Sequence, residues 1–181
     1  MSNAIEIRDL TLRVNGERVG PIPVPVGTSL LDVLHEWLGL TGSRMGCGQG
    51  ICHACTVMVE EEAGPREMRT CITGAHWFEG RSVRTVEGHA KTEADGTVVL
   101  SPVQKAFVEN FAFQCGYCTP GFVTGASVLI EKLKRKPIHR EDVERVVTDA
   151  LDPHICRCTG YVRYHQAVRD LVLATPGLTI A

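Results

Sequence analysis

Cys47, Cys52 and Cys55 stand at C-x4-C-x2-C inside the stretch GCGQGICHAC, and Cys71 follows after fifteen intervening residues. That spacing constrains the chain more than anything else in it. One tight loop offers three thiolates and a separate segment closes the set, the ligand pattern of a plant-type [2Fe–2S] centre. Gly46, Gly48 and Gly50 suit such a loop. Backbone wrapped round a cluster must reach φ > 0 and bring N–H groups near sulfur without β-carbon clashes.

A second set of four comprises Cys115, Cys118, Cys156 and Cys158, spaced C-x2-C and C-x-C. Each pair precedes a segment with helical periodicity, so two helix N-termini converge on one site. Their positive dipole ends favour thiolates and an anionic cluster. A structural zinc with four cysteine ligands is the competing reading. The eight cysteines of the chain divide into these quartets with none spare. A Rieske centre would need histidines in place of two of them.

The chain has 181 residues, enough for one domain or two small ones. A net charge of −2 gives no electrostatic reason for nucleic-acid binding. No apolar run approaches a membrane span. The start, MSNAIEIRDL, has no basic region followed by an apolar stretch and no twin arginine. The expected compartment is therefore the cytoplasm, with periplasmic co-export on a partner left open. Cysteines without a secretion signal favour metal binding over disulfides.

Residues 5–14 partly alternate, and Asn15-Gly16 predicts a hairpin turn into a second strand over 17–26, where Pro21, Pro23 and Pro25 mark an edge. Thr28 or Ser29 should cap a helix with Leu30, Val33, Leu34, Trp37 and Leu38 on one face. Residues 56–60 and 81–86 read as strands, and 87–100 as a polar linker. After it come four helical segments. Ser101-Pro102 starts one that should bury Val103, Phe107 and Phe111, and Thr119-Pro120 starts one that Pro137 stops. The others cover 140–151 and 161–174. Trp37, Trp77, Phe107, Phe111 and Phe113 are expected in the core. The lysine-rich 132–136 is expected to be a helix end.

The segments LTGSRMGCGQGICHACTV, QCGYCTPG and CRCTGY resemble, in this order and separation, the iron–sulfur subunit of the molybdenum hydroxylases. That family includes xanthine dehydrogenases, aldehyde oxidoreductases, carbon monoxide dehydrogenases and nitrogen-heterocycle oxidoreductases. The resemblance runs from about Ile5 to about Leu173. It implies an α+β chain, with a β-grasp ferredoxin domain over 1–88, a linker over 89–100 and a four-helix domain over 101–181. Each domain would hold one [2Fe–2S] cluster.

It further implies that the catalytic centre is a molybdenum–pterin group in a large partner subunit, with no catalytic residue in this chain. Electrons from an aldehyde or nitrogen-heterocycle substrate would pass through both clusters to a flavin subunit or a cytochrome. The quartet of Cys115, Cys118, Cys156 and Cys158 would lie nearer the pterin, touched at its edge by Gln114 and Cys158. A free-standing two-cluster ferredoxin shuttle is the competing function.

Two positions depart from the family pattern. His53 stands where glycine is usual, and Asp152-Pro153-His154 where Gly-Asn is common. His53 is either a tuning group for the first cluster or a solvated loop histidine. Arg157, between two ligands, either offsets cluster charge or makes a surface salt bridge.

Overall fold

The computed structural model describes residues 5–181. The first four, part of the expected 1–88 domain and of the leader reading, lie outside the described residues. Over the described residues the chain is a mixed α+β fold with a five-stranded mixed sheet and five α-helices.

Strand β1 (Ile7–Val14) turns at Asn15-Gly16, both at positive φ, into β2 (Glu17–Pro25). A two-residue turn with both centres left-handed matches the twist of the flanking strands. The prolines sit on β2 because it is an edge, in the order β2-β1-β5-β3-β4. Here β3 is Thr56–Glu60, β4 is Arg66–Arg69 and β5 is Ser82–Arg84. β5 pairs parallel with β1, and the other contacts are antiparallel. Leu10, Leu12, Val24, Val57, Val59 and Val83 bury one face of this sheet against Leu30, Leu34 and Phe78.

Ser29 caps α1 (Leu30–Asp32), its hydroxyl accepting from the Asp32 N–H at 3.1 Å. The helix then widens into a π turn over Val33–Trp37, closed by Leu38 N–H to Val33 O at 3.2 Å. That widening corrects the expected apolar face. It shifts Trp37 out of phase with Val33 and Leu34, so Trp37 is exposed while they are buried.

Residues 87–100 are structured, with a 3-10 turn at Glu87–His89 and a small hairpin of β6 (Lys91–Thr92) and β7 (Val98–Val99). Ser101 and Gln104 form a reciprocal capping box at the start of α2 (Pro102–Glu109). α2 stops before Phe111, which takes φ +49° and is 72% exposed, while Ala112 turns inward instead. Phe113 and Trp77 are also exposed, the latter beneath the guanidinium of Arg81. Of the aromatic residues expected in the core, Phe107 alone is buried.

α3 (Thr119–Arg135) is buried on every side from Gly121 to Ile130, the signature of a central helix. Thr119 does not cap it as expected. It is the first helical residue, and its hydroxyl meets Tyr164 Oη at 2.8 Å. Short strand β8 (Ile138–His139) leads to α4 (Val143–Leu151) and α5 (Val162–Ala174). β9 (Thr179–Ile180) returns to pair with β8. Helices α2 to α5 enclose a second core around Phe107, Phe122, Val147, Tyr164 and Val168.

The halves meet where α3 crosses β3. β3 is thereby buried on both faces, with Val57 and Val59 towards the sheet core and Thr56 and Met58 also covered. Lys134 pairs with Glu131 at 2.8 Å on the exposed end of α3, the helix-end role expected of this basic run.

Candidate functional site

The loop between α1 and β3 carries the first three cysteines, and the turn after β4 carries Cys71. Gly48 and Gly50 have φ of +66° and +71°, and a β-carbon on Gly46 would come within 2.7 Å of Cys52 Sγ. The loop can close round its sulfurs only with glycine there. Gln49 N–H and Cys52 N–H point at Cys47 Sγ from 3.3 and 3.4 Å. These donors lower the Cys47 thiol to about 6.

The thiols of this loop fall into two close pairs. Cys47 neighbours Cys52, and Cys55 neighbours Cys71. Burial, followed by the adjacent Cys55 sulfur, pushes Cys71 up to about 11. The crowded thiolates need a shared cation to be ionised together.

In the second quartet Cys158 Sγ lies 3.6 Å from Cys115 Sγ, and Cys118 neighbours Cys156. Two sulfurs on one tetrahedral metal at ~2.3 Å sit roughly 3.7 Å apart. Burial pushes Cys118 up to about 11, with the Cys156 sulfur adding to the rise. Burial would raise Cys156 too, yet the Thr159 hydroxyl at 3.1 Å and nearby backbone N–H groups bring it below the ordinary thiol value. Tyr164 Oη faces Cys118 Sγ at 3.6 Å.

Among the described residues no three cysteine sulfurs lie within 4.8 Å of one another. A single four-thiolate zinc would draw all four within roughly 3.7 Å. The donor set fits a two-iron cluster, whose metals would each take one pair.

The two loops touch. Ile155 N–H donates to Cys52 O at 3.1 Å, and the Tyr117 hydroxyl donates to Met45 O at 2.8 Å. A β-carbon on Gly121 would meet His53 O at 2.4 Å, so α3 seats directly on the first loop. Cys55 and Cys156 are buried, whereas Cys115, Cys158, Gln114 and Arg157 are exposed. Arg157 has no carboxylate partner among the described residues.

The residues that depart from the family pattern come together. His53 holds φ +59°, the left-handed region that glycine favours, and is largely buried. Its Nδ1 lies 3.5 Å from Glu67 Oε2, and His154 Nε2 lies 3.2 Å from the same oxygen. Burial alone would raise the Glu67 carboxyl, but the two imidazoles hold it at about 2. A solvated loop histidine is thus not what His53 is. Glu67 gave no signal in the sequence, because β4 brings it to the histidines only through the tertiary fold.

Thiol pairs on glycine-built loops define an iron–sulfur protein of the electron-transfer class. Residues 13–76 match the family described as 2Fe-2S iron-sulfur cluster binding domain, and residues 85–169 match the [2Fe-2S] binding domain family. The chain is similar to the nicotine 6-hydroxylase small subunit of Paenarthrobacter nicotinovorans, 38% identical over 93% of this chain and 90% of the relative. It is also similar to the xanthine dehydrogenase iron-sulfur-binding subunit of Escherichia coli O157:H7, 36% identical over 93% and 96%. Among solved structures, quinoline 2-oxidoreductase from Pseudomonas putida 86 superposes with a TM-score of 0.74 at 32% identity, covering 95% of this chain and 93% of that one. The chain belongs to the family of iron–sulfur subunits of molybdenum hydroxylases. No described helix is long and apolar enough to cross a membrane.

Proposed function

We propose that this chain relays electrons within a molybdenum hydroxylase complex, from a molybdopterin centre in a large partner subunit to a flavin or cytochrome acceptor. The observation that carries the reading is the gathering of four cysteines in each of two places, with Cys158 Sγ 3.6 Å from Cys115 Sγ and Cys47, Cys55 and Cys118 beside Cys52, Cys71 and Cys156. Cys47, Cys52, Cys55 and Cys71 would hold one [2Fe–2S] cluster, and Cys115, Cys118, Cys156 and Cys158 the other. A bound cluster supplies a one-electron redox centre, which suits a two-electron oxidation drawn off in single steps.

The chain's own residues do the rest. The N–H groups of Gln49 and Cys52 and the hydroxyl of Thr159 stabilise thiolate charge. Cys52 O and Ile155 N–H join the two ligand loops through backbone, which fixes their separation.

Exposure of Gln114, Cys115 and Cys158 supports contact with the partner's pterin at that edge. Met45, Ile51 and Ile72 leave an apolar rim around the other quartet, suited to the onward acceptor. The nicotine and quinoline relatives favour a nitrogen heterocycle over an aldehyde as substrate of the complex. The domain reading that goes with this is a β-grasp ferredoxin unit over 1–88, a connection over 89–100 and a four-helix unit over 101–181. A free-standing shuttle would need one exposed centre, whereas here two loops are bonded into a fixed pair.

Anaerobic purification should yield about four irons per chain and two distinguishable paramagnetic signals on reduction. Cys47→Ser should abolish one signal and Cys158→Ser the other. Stoichiometric zinc in the quartets with no reduced-state signal would overturn the reading. Co-purification with a large subunit separates relay from shuttle.

A further inference from the structure

We propose that His53, Glu67 and His154 form a binding site for a zinc-class divalent cation that clamps the two cysteine loops together. Among the described residues these are the one group of three or more potential ligands whose donor atoms all lie within 4.8 Å of one another. The distances of 3.5 and 3.2 Å from Glu67 Oε2 match the roughly 3.3 Å between two ligands on a tetrahedral metal at 2.0–2.1 Å. Two imidazoles and a carboxylate are the donor set that zinc accepts, leaving one position open.

Three further observations point at a missing partner. His154 is 1% exposed and its Nδ1 has no hydrogen-bond partner, while its Nε2 and His53 Nδ1 face only the Glu67 carboxylate. Buried polar atoms left so are costly. The three residues come from three segments. His53 follows Cys52 in the first loop, His154 precedes Cys156 in the second, and Glu67 stands on β4 between them. Residue 53 also keeps a left-handed backbone, strained for any side chain beyond glycine, to place its ring there.

A cavity of about 300 Å³ opens beside His53 and Glu67 and gives the cation a way in. On its walls Glu67 and Asp149 balance Arg69 and Lys132. The site uses none of the eight cysteines, so it stands whether or not the quartets hold iron.

The test is zinc retention by the purified full chain with its iron already quantified, compared with Glu67→Gln and His53→Gly. We expect one zinc per chain beyond the iron, with a zinc K-edge spectrum showing nitrogen and oxygen neighbours at about 2.0–2.1 Å. Both variants should bind zinc at least about tenfold more weakly. His53→Gly relieves the backbone and should fold, so it carries the comparison even if Glu67→Gln does not. Failure to retain zinc, a sulfur shell at about 2.3 Å, or unchanged affinity in His53→Gly would overturn the proposal.

Discussion

Tyr164 is fully buried, stacked on Phe122 with ring centroids 4.0 Å apart, and its hydroxyl lies between Thr119 Oγ1 and Cys118 Sγ. A thiolate accepts and cannot donate, so with Cys118 ionised the Tyr164 O–H points to sulfur and Thr119 donates to Tyr164. Donors to cluster sulfurs favour the more negative, reduced state. Tyr164→Phe should therefore lower the potential of the second centre and leave the first unchanged, at a stability cost of about 1 kcal/mol. Redox titration followed by paramagnetic resonance checks both halves. At this scale the eight cysteines proposed as ligands stood out because each motif is local in sequence. Glu67 was not, since nothing within its own strand marks it.

Among the elements, α3 sits hard against the first cysteine loop. Gly121 lies against backbone, His53 O at 2.4 Å and Ala54 Cα at 3.3 Å from a built β-carbon, and backbone cannot swing aside. Gly121→Ala should cost roughly 1–3 kcal/mol by forcing the helix off the loop. Its urea midpoint should fall accordingly, with iron lost first from the quartet of Cys47. The strand at 56–60, the Asn15-Gly16 hairpin and the capped helix at Ser101 could all be read from local chemistry. Such signals sit in adjacent residues. The π turn that expels Trp37 and the left-handed Phe111 escaped, because neither breaks the periodicity written in the sequence. The pairing of β8 with β9 depends on residues some forty positions apart.

For the whole molecule, the seam between sheet and helices carries a proton-sensitive group. Burial and the Arg84 guanidinium depress His89 to about 4, against the opposing pull of Glu131, Glu60 and Glu87. Its Nε2 is buried without a partner. The unfolded chain takes up a proton near pH 6.5 that the folded chain refuses until about 4. Stability from this group is thus complete above about 6.5 and declines as pH falls towards 4, by up to roughly 3 kcal/mol. His89→Leu should flatten that limb, read as the difference in urea midpoint between variant and parent at pH 7.5 and 5. The division into a sheet half and a helical half was visible from composition. How closely they adjoin was not, because the closeness rests on absent side chains at Gly121 and Gly125.

Those two glycines govern how the protein could be recombined. Gly121 leaves room for the backbone of His53, and Gly125 leaves room for the His154 ring, 2.4 Å from where a methyl would stand. A chimera that took its sheet from one relative and its helices from another would inherit mismatched surfaces at this point. Residues 53, 67, 121, 125 and 154 would have to travel as a set for the hybrid to mature.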